Sequence, residues 1–210
     1  MAVSIVVISD THGFHDSIEM PMGDILVHAG DMTKHGTIED LEGFNRYLGT
    51  LPHAVKIVVA GNHDFCFEHN RHECKAKLSN AIYLQDEAVT VHGIRFYGSP
   101  WQPWFYDWAF NLQRGPEIRE KWDLIPEGTD VLITHGPPFG YGDETVRGEH
   151  VGCRDLLEAL VRVKPQVHIF GHIHEGYGRS SNKHTDFINA SICDVFFQSV
   201  NCPFVYRYDV

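Results

Sequence analysis

Five times along this chain a run of aliphatic and β-branched residues stops at side chains able to bind a metal or move a proton. Residues 57–64 read Ile-Val-Val-Ala-Gly-Asn-His-Asp, so that Asn62, His63 and Asp64 follow an unbroken apolar stretch. The same design recurs at 5–12, ending in Asp10-Thr11-His12, and at 25–31, ending in Gly30-Asp31. It recurs again at 131–135, ending in His135, and at 167–174, ending in Gly171-His172-Ile173-His174. Short continuous apolar runs of this kind predict strands covered on both faces. In open α/β sheets, ligands gather beyond the carboxyl ends of such strands. The pattern therefore predicts five buried strands delivering polar residues to one edge.

Between these strands the period changes. Ile38, Leu41, Phe44 and Leu48 fall on one face of a helix predicted over 37–48, with Thr37 as its N-cap. A second helix is predicted over 68–78, a third over 116–122 with proline at its start, and an amphipathic one over 155–163. Residues 88–91 and 94–97 alternate around His92-Gly93 and predict an antiparallel hairpin. Three more strands are predicted in the tail, at 187–190, 195–199 and 204–208. Both parallel and antiparallel pairing are thus expected, in an α/β protein. With 210 residues, 43% of them apolar, and neither repeat nor linker, the sequence predicts one compact domain over 1–210.

Charge narrows the partners. The chain carries 17 Lys and Arg against 28 Asp and Glu, a formal charge of -11, which repels long polyanions and argues against a nucleic-acid-binding module. Any anionic substrate should be small and held by something locally positive. Five scattered cysteines form no Cys-x-x-Cys pair, so reduced and mostly buried thiols are expected. The opening apolar run is interrupted by Asp10 and His12 and lacks a basic lead-in, which makes it a first strand rather than a signal peptide. No apolar run reaches the ~20 residues of a membrane span. A soluble, cytoplasmic protein is expected.

The strand ends supply Asp10, His12, Asp31, Asn62, His135, His172 and His174 as candidate metal ligands. In extended chain, residues two apart point the same way, so Asp10 can converge with His12 and His172 with His174. Carboxylates with imidazoles and no thiolates suit Mn, Fe, Zn or similar ions and argue against a structural zinc site. Seven ligands are too many for one ion and fit two that share a bridge. Two carboxylates offset half the charge of two divalent ions, leaving a positive centre suited to a phosphate. Two such metals can hold a hydroxide with a lowered pKa and clamp phosphoryl oxygens for in-line attack. No Gly-x-Ser-x-Gly elbow or P-loop competes.

Asp10-x-His12, Gly30-Asp31, Gly61-Asn62-His63-Asp64, His135 and Gly171-His172-x-His174 occur in this order, each after a strand, and together resemble the calcineurin-like metallophosphoesterases. Closer motifs, Gly98-Ser-Pro-Trp-Gln-Pro-Trp, Thr134-His-Gly-Pro-Pro and His174-Glu-Gly-Tyr-Gly, resemble the brain-239-type, metallophosphoesterase-domain-containing branch, itself similar to class III cyclic nucleotide phosphodiesterases. Some animal members carry glycine where this chain has His172, so this chain keeps the full set.

The resemblance implies a four-layer α/β/β/α sandwich with two mixed β-sheets. It also implies that Asp10, His12, Asp31 and His174 hold one divalent ion and Asp31, Asn62, His135 and His172 a second. His63 would act on the leaving oxygen, with Asp64 either orienting that imidazole or capping a helix. The implied substrate is a small phosphodiester, a cyclic nucleotide in the first instance. Phosphomonoesters and pyrophosphates are alternatives on the same site, and a catalytically weak protein-binding scaffold is an alternative of another class. Trp101, Trp104, Phe105, Tyr106, Trp108 and Phe110 either stack on a substrate base or close the core. The remaining histidines, among them His28, receive no role, and His168 is read as a satisfied core residue.

Overall fold

The computed structural model describes residues 2–210. Each apolar run becomes a central strand. The first sheet contains β1 (Ala2–Ile8), β2 (Ile25–Ala29), β3 (Val55–Val59) and the short β4 (Ile82–Tyr83). The second begins with β5 (Glu87–Val91) and β6 (Ile94–Ser99). A two-residue pair, β7 (Gln102–Pro103) and β8 (Asn111–Leu112), stands apart from both sheets. The second sheet continues with β9 (Val131–Thr134), β10 (Val167–Phe170), β11 (Gly178–Ser181) and β12 (Asp186–Asn189). The last strand, β13 (Phe204–Asp209), returns antiparallel to β1. The orders are β13-β1-β2-β3-β4 and β11-β12-β10-β9-β6-β5, and both sheets mix parallel with antiparallel neighbours.

The two-residue period of the strands divides the apolar residues among three cores. Ile5, Val7, Ile25, Val27, Ile57 and Val59 face Phe96, Val131, Ile133 and Ile169 between the sheets. Their alternates Val6, Ile8, Leu26 and Val58 pack outward on α1 (Ile38–Thr50), α2 (Phe65–His69) and α3 (Arg71–Lys77). On the other side Tyr97, Leu132 and Phe170 pack on α4 (Pro116–Asp123) and α5 (Arg154–Val163). Three cores between four layers is the predicted sandwich. The sheets are stitched at one edge, where Ser9 N donates to Ala190 O and Ile192 N to Ser9 O.

Most predicted elements appear, with differences that have local causes. Thr37 caps α1 by accepting from Asp40 N. His92 and Gly93 form the hairpin turn with φ of 52° and 81°, the left-handed pair a tight two-residue turn requires. The helix expected over 68–78 is two helices, because Asn70 leaves helical geometry and its side chain caps α3 at Glu73 N. Residues 195–199 are not a strand. Asp194 Oδ1 accepts from Phe196 N and Gln198 N and curls the segment into turns, exposing Val195, Phe196 and Phe197. The polar β11 had no apolar pattern to announce it. Among the described residues no helix is long and apolar enough to cross a membrane.

Candidate metal centre

All seven candidate ligands lie at the carboxyl edge of the central strands, within or just beyond the turn that follows each. Ligand atoms form three overlapping groups, Asp10/His12/His174, His12/Asp31/His63 and Asp31/His135/His172, each with its atoms within 4.8 Å of one another. Asn62 joins the last group, its Oδ1 lying 2.8 Å from His135 Nε2. Asp31 is the shared member. Its Oδ2 stands 3.4 Å from His135 Nε2, 3.8 Å from His12 Nε2 and 4.0 Å from His63 Nε2. Its other oxygen accepts from His63 N at 2.8 Å. At the far end His174 Nε2 is 3.4 Å from Asp10 Oδ1 and 3.2 Å from His12 Nε2.

This convergence strains the backbone. Asp10, His12, Asp31 and His172 have φ of 52°, 42°, 56° and 67°, in the left-handed region that side chains other than glycine seldom adopt. Strain of this kind collects where the surroundings fix a functional geometry. Two glycines make room for the carboxylates. A Cβ at Gly61 would lie 2.3 Å from Asp31 Oδ1, and one at Gly171 would lie 1.9 Å from Asp10 Oδ2.

Surrounding groups set which ring nitrogen faces inward. His135 Nδ1 donates to Ala29 O, and His174 Nδ1 to Asp194 O, leaving both Nε2 atoms directed at the cluster. Such outer hydrogen bonds fix the tautomer of a ligating imidazole. Asp10 is held by His172 N and by the Ser191 hydroxyl. Beneath the cluster, the buried His28 accepts from Gly30 N at Nδ1 and meets the Thr11 hydroxyl through Nε2, tying β1 to β2. In the other sheet His168 is only half satisfied: its Nε2 lies 2.8 Å from the Thr134 hydroxyl that precedes His135, while its buried Nδ1 has no partner among the described residues. Apart from Gly30, two residues from His28, these partners are far apart in the chain, so the sequence offered no signal for them.

The electrostatics favour a cation. Burial works against the Asp31 carboxylate, yet His135, His63 and His12 outweigh it and hold it well below the usual range. Burial pulls His135 and His174 down as well, but the carboxylates of Asp31 and Asp10 overcome it and hold both imidazoles up to about 9. His12 and His172, for which burial prevails, are pushed down to about 4 and about 3, ready to offer lone pairs. Oxygen and imidazole donors with preset tautomers fit a divalent metal ion.

His63 stands at the mouth. Its Nδ1 donates to Lys34 O, its ring lies 4.2 Å from that of Trp108, and its side chain keeps 14% exposure. Asp64 stands at the N-cap position of α2, but its side chain makes no capping bond there and none to the His63 ring. Its fully buried carboxylate accepts from Gly61 N, Met32 N, Thr33 N and the Thr33 hydroxyl, joining the loop after β2 to the loop after β3. The aromatic loop divides. Trp101 and Phe110 pack into the core, Trp108 backs His63, and Trp104, Phe105 and Tyr106 are exposed.

Two cavities meet at the cluster. One of about 250 Å³ contains the inner faces of Asp31, Asn62, His63, His172 and His174 under Trp108 and Phe197. The other, about 390 Å³, is walled by Trp104, Pro137, Val151 and Ile173. Phe105, His172 and Glu175 border both.

The calcineurin-like phosphoesterase family profile matches residues 3–176. Metallophosphoesterase domain-containing protein 1 of Homo sapiens is 48% identical, the match covering 95% of this chain and 69% of the relative. UPF0046 protein T07D4.2 of Caenorhabditis elegans is 40% identical, covering 99% of this chain and 60% of the relative. A crystal structure of TT1561 of Thermus thermophilus superposes with a TM-score of 0.60 at 12% identity, over 90% of this chain and 89% of that one, a likeness of fold.

Proposed function

The chain belongs to the calcineurin-like phosphoesterase family, and from that premise we propose that it is a dinuclear metal-dependent phosphodiesterase acting on small diesters, cyclic nucleotides first among them. The observation that carries the reading is the placing of Asp31 between two ligand groups, one containing His12 and the other His135 and His172. Asp10, His12, Asp31 and His174 would hold one ion, and Asp31, Asn62, His135 and His172 the other. Divalent ions such as Mn²⁺, once bound, would supply Lewis acidity toward phosphoryl oxygens and an acidified water as nucleophile.

The chain's own residues do the rest. Asp31 keeps the cavity floor charged, with Asp10 buried behind it, and the strained turns hold both with no reorganisation at the moment of reaction. His63, fixed by Lys34 O with Nε2 free toward the cavity, would donate a proton to the leaving oxygen or stabilise its charge. Trp108 and Phe197 cover that imidazole and limit water at it. Asp64 would act as a positioning residue, through Gly61 and Thr33. Residues 1–210 would work as one catalytic domain, and the five free cysteines accord with a cytoplasmic setting.

The test is hydrolysis by Mn²⁺-loaded protein of 2',3'- and 3',5'-cyclic AMP and GMP, bis-p-nitrophenyl phosphate and p-nitrophenyl phosphate, with a chelated control. Chelator-sensitive turnover of diesters well above the monoester is expected. Preference for the monoester would overturn the substrate class, and an idle protein would overturn the enzyme.

A further inference from the structure

The two cavities at the cluster differ in character. The smaller is floored by candidate metal ligands, whereas the larger is mostly apolar and leads away on the His172 side. His63, where the leaving group would depart, borders only the smaller one. An ester group that stays on phosphorus therefore has its own space, about 390 Å³ between Trp104, Pro137, Val151 and Ile173.

The wall between the cavities carries a charge. Glu175 borders both, and its Oε1 accepts from Val146 N at 3.1 Å, which holds the exposed carboxylate at the boundary. Arg114 also lines the larger cavity, but its Nη1 donates to Gly152 O and its Nη2 to Val151 O, and it does not border the smaller one. The boundary next to the reacting centre is thus negative. A phosphate monoester bears close to two negative charges above pH 7 and a diester only one. A fixed carboxylate disfavours the second charge, while the apolar cavity favours an organic group in its place.

Resting on the phosphoesterase reading, we infer that Glu175, with the apolar cavity it borders, selects phosphates carrying two ester groups over phosphates carrying one. Glu175 is on this account a specificity-determining residue. It sits next to His174 in sequence but is not needed to hold an ion.

Glu175→Gln separates charge from structure, because the amide oxygen keeps the acceptor for Val146 N. The assay compares kcat/KM for bis-p-nitrophenyl phosphate and p-nitrophenyl phosphate at pH 8, at low and high salt, in Mn²⁺-loaded wild type and variant. The ratio of diester to monoester should fall roughly three- to ten-fold in the variant, through a rise for the monoester, and the fall should shrink at high salt. Calorimetric titration with phenyl phosphate and diphenyl phosphate provides a readout independent of turnover. The variant should bind phenyl phosphate more tightly and diphenyl phosphate unchanged. Equal shifts for both anions, no shift, or no binding of either would overturn the inference. Should the wild type bind these anions yet cleave no ester, the phosphoesterase reading fails while the binding ratio still decides the role of Glu175.

Discussion

Gly61→Ala adds one methyl group between Asp31 and His135, where the two halves of the site meet. The new Cβ would lie 2.4 Å from Asp31 N and 2.7 Å from His135 Cε1, where ordinary contact begins at 3.4 Å, so Asp31 must retreat by 3.4 minus 2.4, or about 1.0 Å. Relaxation by side-chain rotation is closed off, since Asp31 N is backbone and its loop is pinned through Met32 and Thr33 to Asp64. Overpacking of this kind costs about 1–3 kcal/mol. At roughly 2–4 °C per kcal/mol for a chain of this size, the melting temperature should fall by about 2–12 °C. Function should suffer far more, because a displacement of about 1 Å in a reacting constellation can cost about 10²-fold. The assay is thermal unfolding of metal-free protein beside Mn²⁺-dependent hydrolysis of bis-p-nitrophenyl phosphate. Gly43→Ala is the control: its Cβ meets only Arg46 Nη2 at 3.7 Å within α1, and removing a helical glycine should stabilise by about 0.5–1 kcal/mol with turnover intact. Wild-type turnover in Gly61→Ala would refute the claim that the Asp31 position governs the reaction.

His63→Ala should lower turnover by roughly 10²- to 10⁴-fold while leaving metal content unchanged; a fully active variant would remove His63 from the mechanism. Asp31→Ala and Asn62→Ala should abolish metal-dependent turnover, measured against chelated wild type, with folding followed by circular dichroism. The buried His168 is pushed down to about 3 by burial, against an ordinary 6.5. A lowered imidazole pKa means that the unfolded chain takes the proton first, so stability is full above pH 6.5 and is lost as pH falls toward 3, by about 1.4 kcal/mol per unit for this group. His168→Gln, which keeps a donor for the Thr134 hydroxyl, should flatten the denaturant-measured decline between pH 6.5 and 4.5; an unchanged slope would place the acid sensitivity elsewhere.

The parts legible in the sequence are those written along a single strand. Ile57 to Val59 followed by Asn62 and His63 states both the burial of a strand and the residues it delivers, because a strand end fixes where the next few side chains go. The face of α1 and the His92-Gly93 turn are local in the same sense. What stayed hidden depends on neighbours far away in the chain. Asp64 reads as a cap or an orienter of His63, yet besides the neighbouring Gly61 its oxygens accept from Thr33, which only β2–β3 pairing brings near. Val195, Phe196 and Phe197 read as a strand because apolar runs usually are, but Asp194 captures the local amides first and leaves Phe197 over His12 and His63. The aromatic loop could not be divided into core and cavity until Phe110 and Phe105 had surroundings.

The proposed site would hold two ions that share Asp31. Its most direct test is the stoichiometry of Mn²⁺ bound to metal-stripped protein, read by calorimetric titration and elemental analysis, in wild type and Asp31→Ala. Two ions per wild-type chain, with both weakened by the one substitution, is the expected result. A single ion per chain, or two whose binding is indifferent to Asp31, would contradict the account.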